Sequence, residues 1–197
     1  MPLQSFSPSI RITSMLKKFC LLLVALMGMA GIAHAATGFE FTFMGADGKP
    51  LTLEQYRGKA IVVVNTATAC GFAHQFKHLE KVWQDRKGDG LVIVGVSSND
   101  FGGQEPRKGK ALVNHCQRNY GVSFPLTERT SVIGPKAHPF YQWAATQSGT
   151  QPKWNFHTYV VGRDGRIVAS FPSSVDPRSP QMALAITSAL KRPAPSM

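Results

Sequence analysis

The chain has 197 residues, 43% of them apolar and 17% charged, with a formal net charge of +11. That balance excludes a disordered or fibrous protein and fits one globular domain. Its basic residues are scattered in singles and pairs, RKGK at 107–110 and KR at 191–192 being the densest, with no aromatic-interleaved patch; this disfavours a nucleic-acid partner and leaves general attraction to anionic surfaces.

The first 35 residues carry Arg11, Lys17 and Lys18 but no acid, then the 15-residue apolar run Phe19–Ala33, then Ala33-His34-Ala35. A basic start, a short apolar core and a small-residue end predict an export signal cleaved after Ala35, hence an exported protein of the bacterial periplasm or the cell exterior. The run is shorter than the roughly 20 residues that span a bilayer, which argues against a retained anchor. Cleavage leaves 19 basic residues against 11 acidic ones, a net charge of +8. It also removes Cys20 and leaves Cys70 and Cys116, a pair that an oxidising compartment turns into a disulfide, either structural or catalytic.

FEFTFMGADGKPLTL (39–53) alternates around Asp47-Gly48 and predicts a hairpin. The run Ile61–Val64 reads as a buried strand, 73–86 as a helix with Phe76, Leu79 and Val82 or Trp83 on one face, and LVIVGV (91–96) as a second buried strand. Further helices are predicted over 108–119, 138–147 and 177–190, the last beginning near Pro180, with an irregular connection at 121–137. HTYVVGRDGRIVAS alternates around Asp164-Gly165 as another hairpin, and 191–197 reads as a flexible tail. The order implies an α/β domain over 36–190, a mixed sheet flanked by helices with a β-hairpin at its start.

Cys70 falls where a parallel strand feeds a helix, the end of an α/β sheet where ligands bind. The positive end of a helix dipole there favours a thiolate. A thioredoxin-type pair would need a second cysteine at position 73, which is Ala73. A buried apolar cysteine remains the bland alternative.

Three stretches carry more. TACGFAHQFKHLEKVW (68–83), NDFGGQEP (99–106) and KWNF (153–156) resemble, in order and spacing, the signature segments of the glutathione peroxidase family. YGVSFP and GPKAHPFYQW match as well, so the likeness runs from about Phe39 to Leu190. It implies a thioredoxin-like fold and a thiol peroxidase that reduces hydrogen peroxide and organic hydroperoxides. It places the nucleophile on Cys70, to be exposed and deprotonated, and its neutral hydrogen-bond donors on Gln104, Trp154 and Asn155. No metal or organic cofactor is implied. Cys116 falls where disulfide-recycling members carry a resolving cysteine, 46 residues after Cys70, and its helix would have to unwind if the sulfurs start far apart.

Departures qualify the likeness. Family members commonly have Cys and Gln where this chain has Ser98 and Asp100, and the Asp100 charge would oppose a thiolate nearby, with Arg107 or Lys108 as offsets. The connection from Gly149 to Lys153 is short where tetrameric relatives carry an insertion, which implies a monomer. With no arginine cluster to define a glutathione site, a thioredoxin-like dithiol protein is the expected reductant ahead of glutathione. Two rival readings remain: a thiol–disulfide carrier of the same fold, and a metal carrier using Cys70, His74 and His78 at i, i+4 and i+8.

Overall fold

The computed structural model describes Met1 and residues 36–195. Residues 2–35 of the predicted export signal, Cys20 with them, and the last two residues of the chain lie outside the described residues.

A short antiparallel hairpin comes first, β1 (Thr42–Met44) against β2 (Pro50–Thr52), with Phe43 opposite Leu51. It is shorter than the alternating sequence predicts. Residues 38–40 and 53–56 coil into 3-10 turns instead, the first closed by Glu40 accepting the Thr37 backbone N–H at 2.9 Å, a reciprocal capping arrangement that competes with strand extension.

β3 (Ala60–Thr66) and β4 (Leu91–Ser97) then pair in parallel, and every residue of both is buried. Strands read as unbroken apolar runs when both sheet faces are covered. Between and after them lie α1 (Gln75–Arg86), α2 (Gly109–Tyr120), α3 (Pro139–Ser148), the hairpin β5 (Thr158–Val161) and β6 (Ile167–Phe171), and α4 (Pro180–Lys191). The sheet order is β4-β3-β5-β6, with β5 antiparallel to both its neighbours. This is the expected mixed sheet.

Alternation along β3 feeds two cores. Val62 and Val64 join Phe76 and Leu79 of α1, Leu112 and Cys116 of α2, and Met182 and Ile186 of α4. Ile61 and Val63 join Phe39 and Phe43 of the N-terminal region and Phe140 and Tyr141 of α3. Each fully buried side chain of this size contributes roughly 1.5–3 kcal/mol, so the helices are held mainly by these faces. α4 starts where Ser179 accepts the Met182 N–H and Pro180 takes the first position. Beyond it Arg192 donates to Asp164 at 2.9 Å. Among the described residues no helix is long and apolar enough to cross a membrane.

Candidate active site

Cys70 sits in the bend between β3 and α1. Residues 71–74 form turns, so α1 begins at Gln75 rather than at Ala73 and the sulfur does not cap the helix axis. A local donor takes that role: the Phe72 backbone N–H reaches Cys70 Sγ at 3.4 Å. The residue is also only 6% exposed, where the sequence predicts an exposed sulfur. An apolar setting strips water from the sulfur and strengthens each remaining hydrogen bond.

The loop after β4 is tied to this bend. Ala69 N donates to the Gln104 carbonyl at 3.0 Å. Glu105, fully buried, accepts from Thr68 Oγ1 at 2.7 Å and Thr68 N at 2.9 Å, and from Arg107 N at 3.1 Å. Arg107 closes the network by donating to Thr68 Oγ1 at 2.9 Å. A buried carboxylate is tolerated when its lone pairs are filled in this way. Sequence reasoning passed over Glu105 and Thr68, although both lie inside the quoted stretches; nothing in their spacing announces that they meet.

A second turn completes the group. Asn155, fully buried, donates from Nδ2 to Gln104 Oε1 at 3.0 Å, which leaves Gln104 Nε2 as the amide donor. Trp154 is 40% exposed and leans on Phe101 with ring centroids 5.8 Å apart. A hollow of about 220 Å³ lined by Lys153, Trp154, His157 and Pro172 adjoins the indole. Burial pushes His157 down to about 4, so at neutral pH it lines that hollow uncharged. The structure therefore links the Cys70 bend to Gln104 and Asn155, with Trp154 beside them.

Cys116 lies on another element of the same apolar core cluster as Cys70. It is fully buried in α2, and both it and Cys70 are free thiols. Burial first, and the Glu105 charge second, push the Cys116 thiol up to about 12, so it is not a nucleophile where it stands. Its helix starts badly: Lys108 at the N-cap offers no side-chain acceptor, Gly109 has φ 52°, and no acid lies in the first turn. Arg107, Lys108 and Lys110 put positive charge at the positive dipole end. Only Leu112 and Cys116 are buried along it.

Two side readings of the sequence meet the geometry here. Asp100 does not aim at the sulfur; its carboxylate accepts Val132 N at 2.6 Å and Ser131 Oγ at 3.2 Å, pinning the 131–132 loop. The metal-carrier set is not assembled either. His78 Nδ1 lies 3.0 Å from Asp176, His74 Nδ1 lies 3.2 Å from the Gly71 carbonyl, and among the described residues no three His, Cys, Asp or Glu side chains are grouped to hold an ion.

Residues 38–145 match the family model described as glutathione peroxidase. The chain belongs to the glutathione peroxidase family. It is 41% identical to the glutathione peroxidase-like peroxiredoxin GPX5 of Chlamydomonas reinhardtii, over 67% of this chain and 84% of that one. It is 36% identical to the hydroperoxy fatty acid reductase gpx1 of a Synechocystis strain, over 72% of this chain and 89% of the other. Among solved structures, Trgpx in apo form superposes with a TM-score of 0.67 at 32% identity, covering 82% of this chain and all (100%) of that one. A thioredoxin-family thiol:disulfide interchange protein from Chlorobium tepidum superposes at 0.56 with 19% identity, covering 80% of this chain and 98% of its own; that likeness shows the fold, which is thioredoxin-like. Family membership makes the chain a thiol peroxidase, an oxidoreductase that reduces hydroperoxides at the expense of a thiol.

Proposed function

We propose that Cys70 is the peroxidatic nucleophile of this peroxidase, that Gln104, Trp154 and Asn155 form its donor set, and that Cys116 resolves the oxidised sulfur. The Cys70 thiolate attacks one oxygen of ROOH; the S–O bond forms as the O–O bond breaks, and the departing RO⁻ takes a proton and leaves as ROH. Gln104 Nε2 and the Trp154 indole N–H steady the thiolate and the developing charge, while Asn155 holds Gln104 with its donor face free. Cys116, once released and deprotonated, attacks the sulfenic sulfur; hydroxide leaves as water and a disulfide remains for an external dithiol to reduce. The observation that carries the reading is the Ala69–Gln104–Asn155 chain of hydrogen bonds, which ties the donor loops to the residue beside the nucleophile.

Gln104→Ala or Trp154→Ala is expected to slow thiolate oxidation by roughly ten- to a thousandfold, the loss associated with one preorganised donor. Rapid-mixing kinetics on the reduced protein measures this. An unchanged rate in both variants removes them from the site.

The protein works as an exported monomer. The basic start, apolar run and Ala-His-Ala end support export, and the short 149–153 connection supports one copy. Native mass spectrometry of protein recovered from the bacterial periplasm checks both points: a single chain beginning at Ala36 is expected, and a full-length chain or a tetramer sinks the corresponding half.

A further inference from the structure

We infer that Asn65 is a positioning residue for the donor turn, fixing Trp154 and Asn155 against the strand that leads to Cys70. The inference rests on the donor reading above.

Asn65 stands near the end of β3, one residue beyond the last β3–β5 pair, Val64 with Thr158. Ladder pairing stops there, yet Asn65 keeps hold of the opposite chain by three hydrogen bonds. Its Nδ2 donates to the Trp154 carbonyl at 3.1 Å, its carbonyl accepts Phe156 N at 2.6 Å, and its own N–H donates to the His157 carbonyl at 3.2 Å. The residue is thus bonded on both sides of Asn155.

What it holds is strained. Phe156 has φ 67°, the only non-glycine residue with positive φ among those described. A bulky side chain in the left-handed region persists only where its surroundings over-determine it, and such residues gather at functional sites. Here the conformation turns Asn155 toward Gln104 and leaves Trp154 at the surface.

The side chain is also out of place by packing rules. Asn65 is fully buried, follows the apolar run Ala60–Val64, and its Oδ1 meets no protein donor. A valine would suit such a strand better. The gain that an amide brings there is the bond to Trp154. A local rule broken at this point, beside the donors, marks a functional constraint.

The test is the second-order rate constant for a single oxidation of reduced protein by hydrogen peroxide. It is compared in wild type, Asn65→Ala, Trp154→Ala, Asn155→Ala, the doubles of Asn65→Ala with each of these two, and Val63→Ala, which empties the same face of β3 without touching the turn. Asn65→Ala is expected to be slowed roughly ten- to a hundredfold, the scale on which small misplacements cost rate. Val63→Ala stays within about twofold of wild type. In the Trp154→Ala or the Asn155→Ala background, whichever removes the donor it chiefly places, the Asn65→Ala penalty shrinks to about threefold or less, because the residue acts through the turn. A wild-type rate in Asn65→Ala, or a full and additive penalty in both double variants, overturns the positioning role. Wild-type rates in both Asn155→Ala and Trp154→Ala remove the donor reading instead, and this inference with it. Should Asn65→Ala not fold, Asn65→Ser, whose hydroxyl is too short to span to the Trp154 carbonyl, is read in the same way.

Discussion

Cys70→Ser is expected to reduce peroxide turnover to the uncatalysed background, a loss on the order of 10⁴-fold or more, as for removal of a catalytic nucleophile elsewhere. The reason is bond chemistry as well as acidity. Sulfur attacking a hydroperoxide exchanges a weak O–O bond for an S–O bond, whereas serine oxygen would only make another O–O bond. A hydroxyl is also far from ionised at neutral pH, so the Phe72 N–H and the amide and indole donors have no anion to support. The fold should survive, since oxygen for sulfur is a small change in volume even at a buried position. Peroxide consumption coupled to a dithiol donor measures the effect. Full activity in the serine variant would transfer the nucleophile to Cys116 and dismantle the assignment of the whole site.

The second large effect concerns turnover. One equivalent of peroxide should convert the reduced protein to a Cys70–Cys116 disulfide, seen in an unreduced digest by mass spectrometry. Cys116→Ser should still react once at close to the wild-type rate, then stall with a thioredoxin-like donor, losing on the order of a hundredfold or more in steady-state rate and gathering sulfinic acid at Cys70. Position 73 is alanine, so no neighbouring thiol can substitute. Normal cycling in Cys116→Ser, or two free thiols after oxidation, would make Cys116 a packing residue and the enzyme dependent on an outside thiol such as glutathione.

The layered α/β order was legible because period-two and helical patterns are local, and the buried strands announced themselves as apolar runs. Boundaries moved where side chains compete with the backbone: Glu40 turns the start of the first hairpin into a 3-10 turn, and the GFAH stretch stays in turns before α1. The proposed nucleophile and donors were picked out only through the resemblance, since Gln104 and Asn155 are 51 residues apart and nothing in composition brings them together. The supporting residues were not legible. Glu105 meets Thr68 across 37 residues, and Asn65 meets Trp154 across 89. Asn65 reads as the polar end of a strand, and Glu105 as an ordinary surface acid before proline. The partners of Asp100 were not legible either, because sequence proximity to the active loop says nothing of which way a carboxylate turns.

The poorly begun helix around Cys116 has a consequence for how the protein ages under load. On the resolving-cysteine reading, each catalytic cycle needs Cys116 to come out of its buried place on α2, and what restrains that helix is Leu112 and Cys116 in the core, with Val113 and Tyr120 half-buried against it and Tyr120 stacked on Phe76. If release costs about 3 kcal/mol, roughly one molecule in a hundred or two is open at any instant. The sulfenic acid lives for the time that this rare population takes to reach it, and a second peroxide arriving sooner makes the damage permanent. An uncapped first turn shortens that wait. The helix start thus acts as a timer, and the sulfinic yield at rising peroxide reads where it is set: the dose above which the enzyme destroys itself.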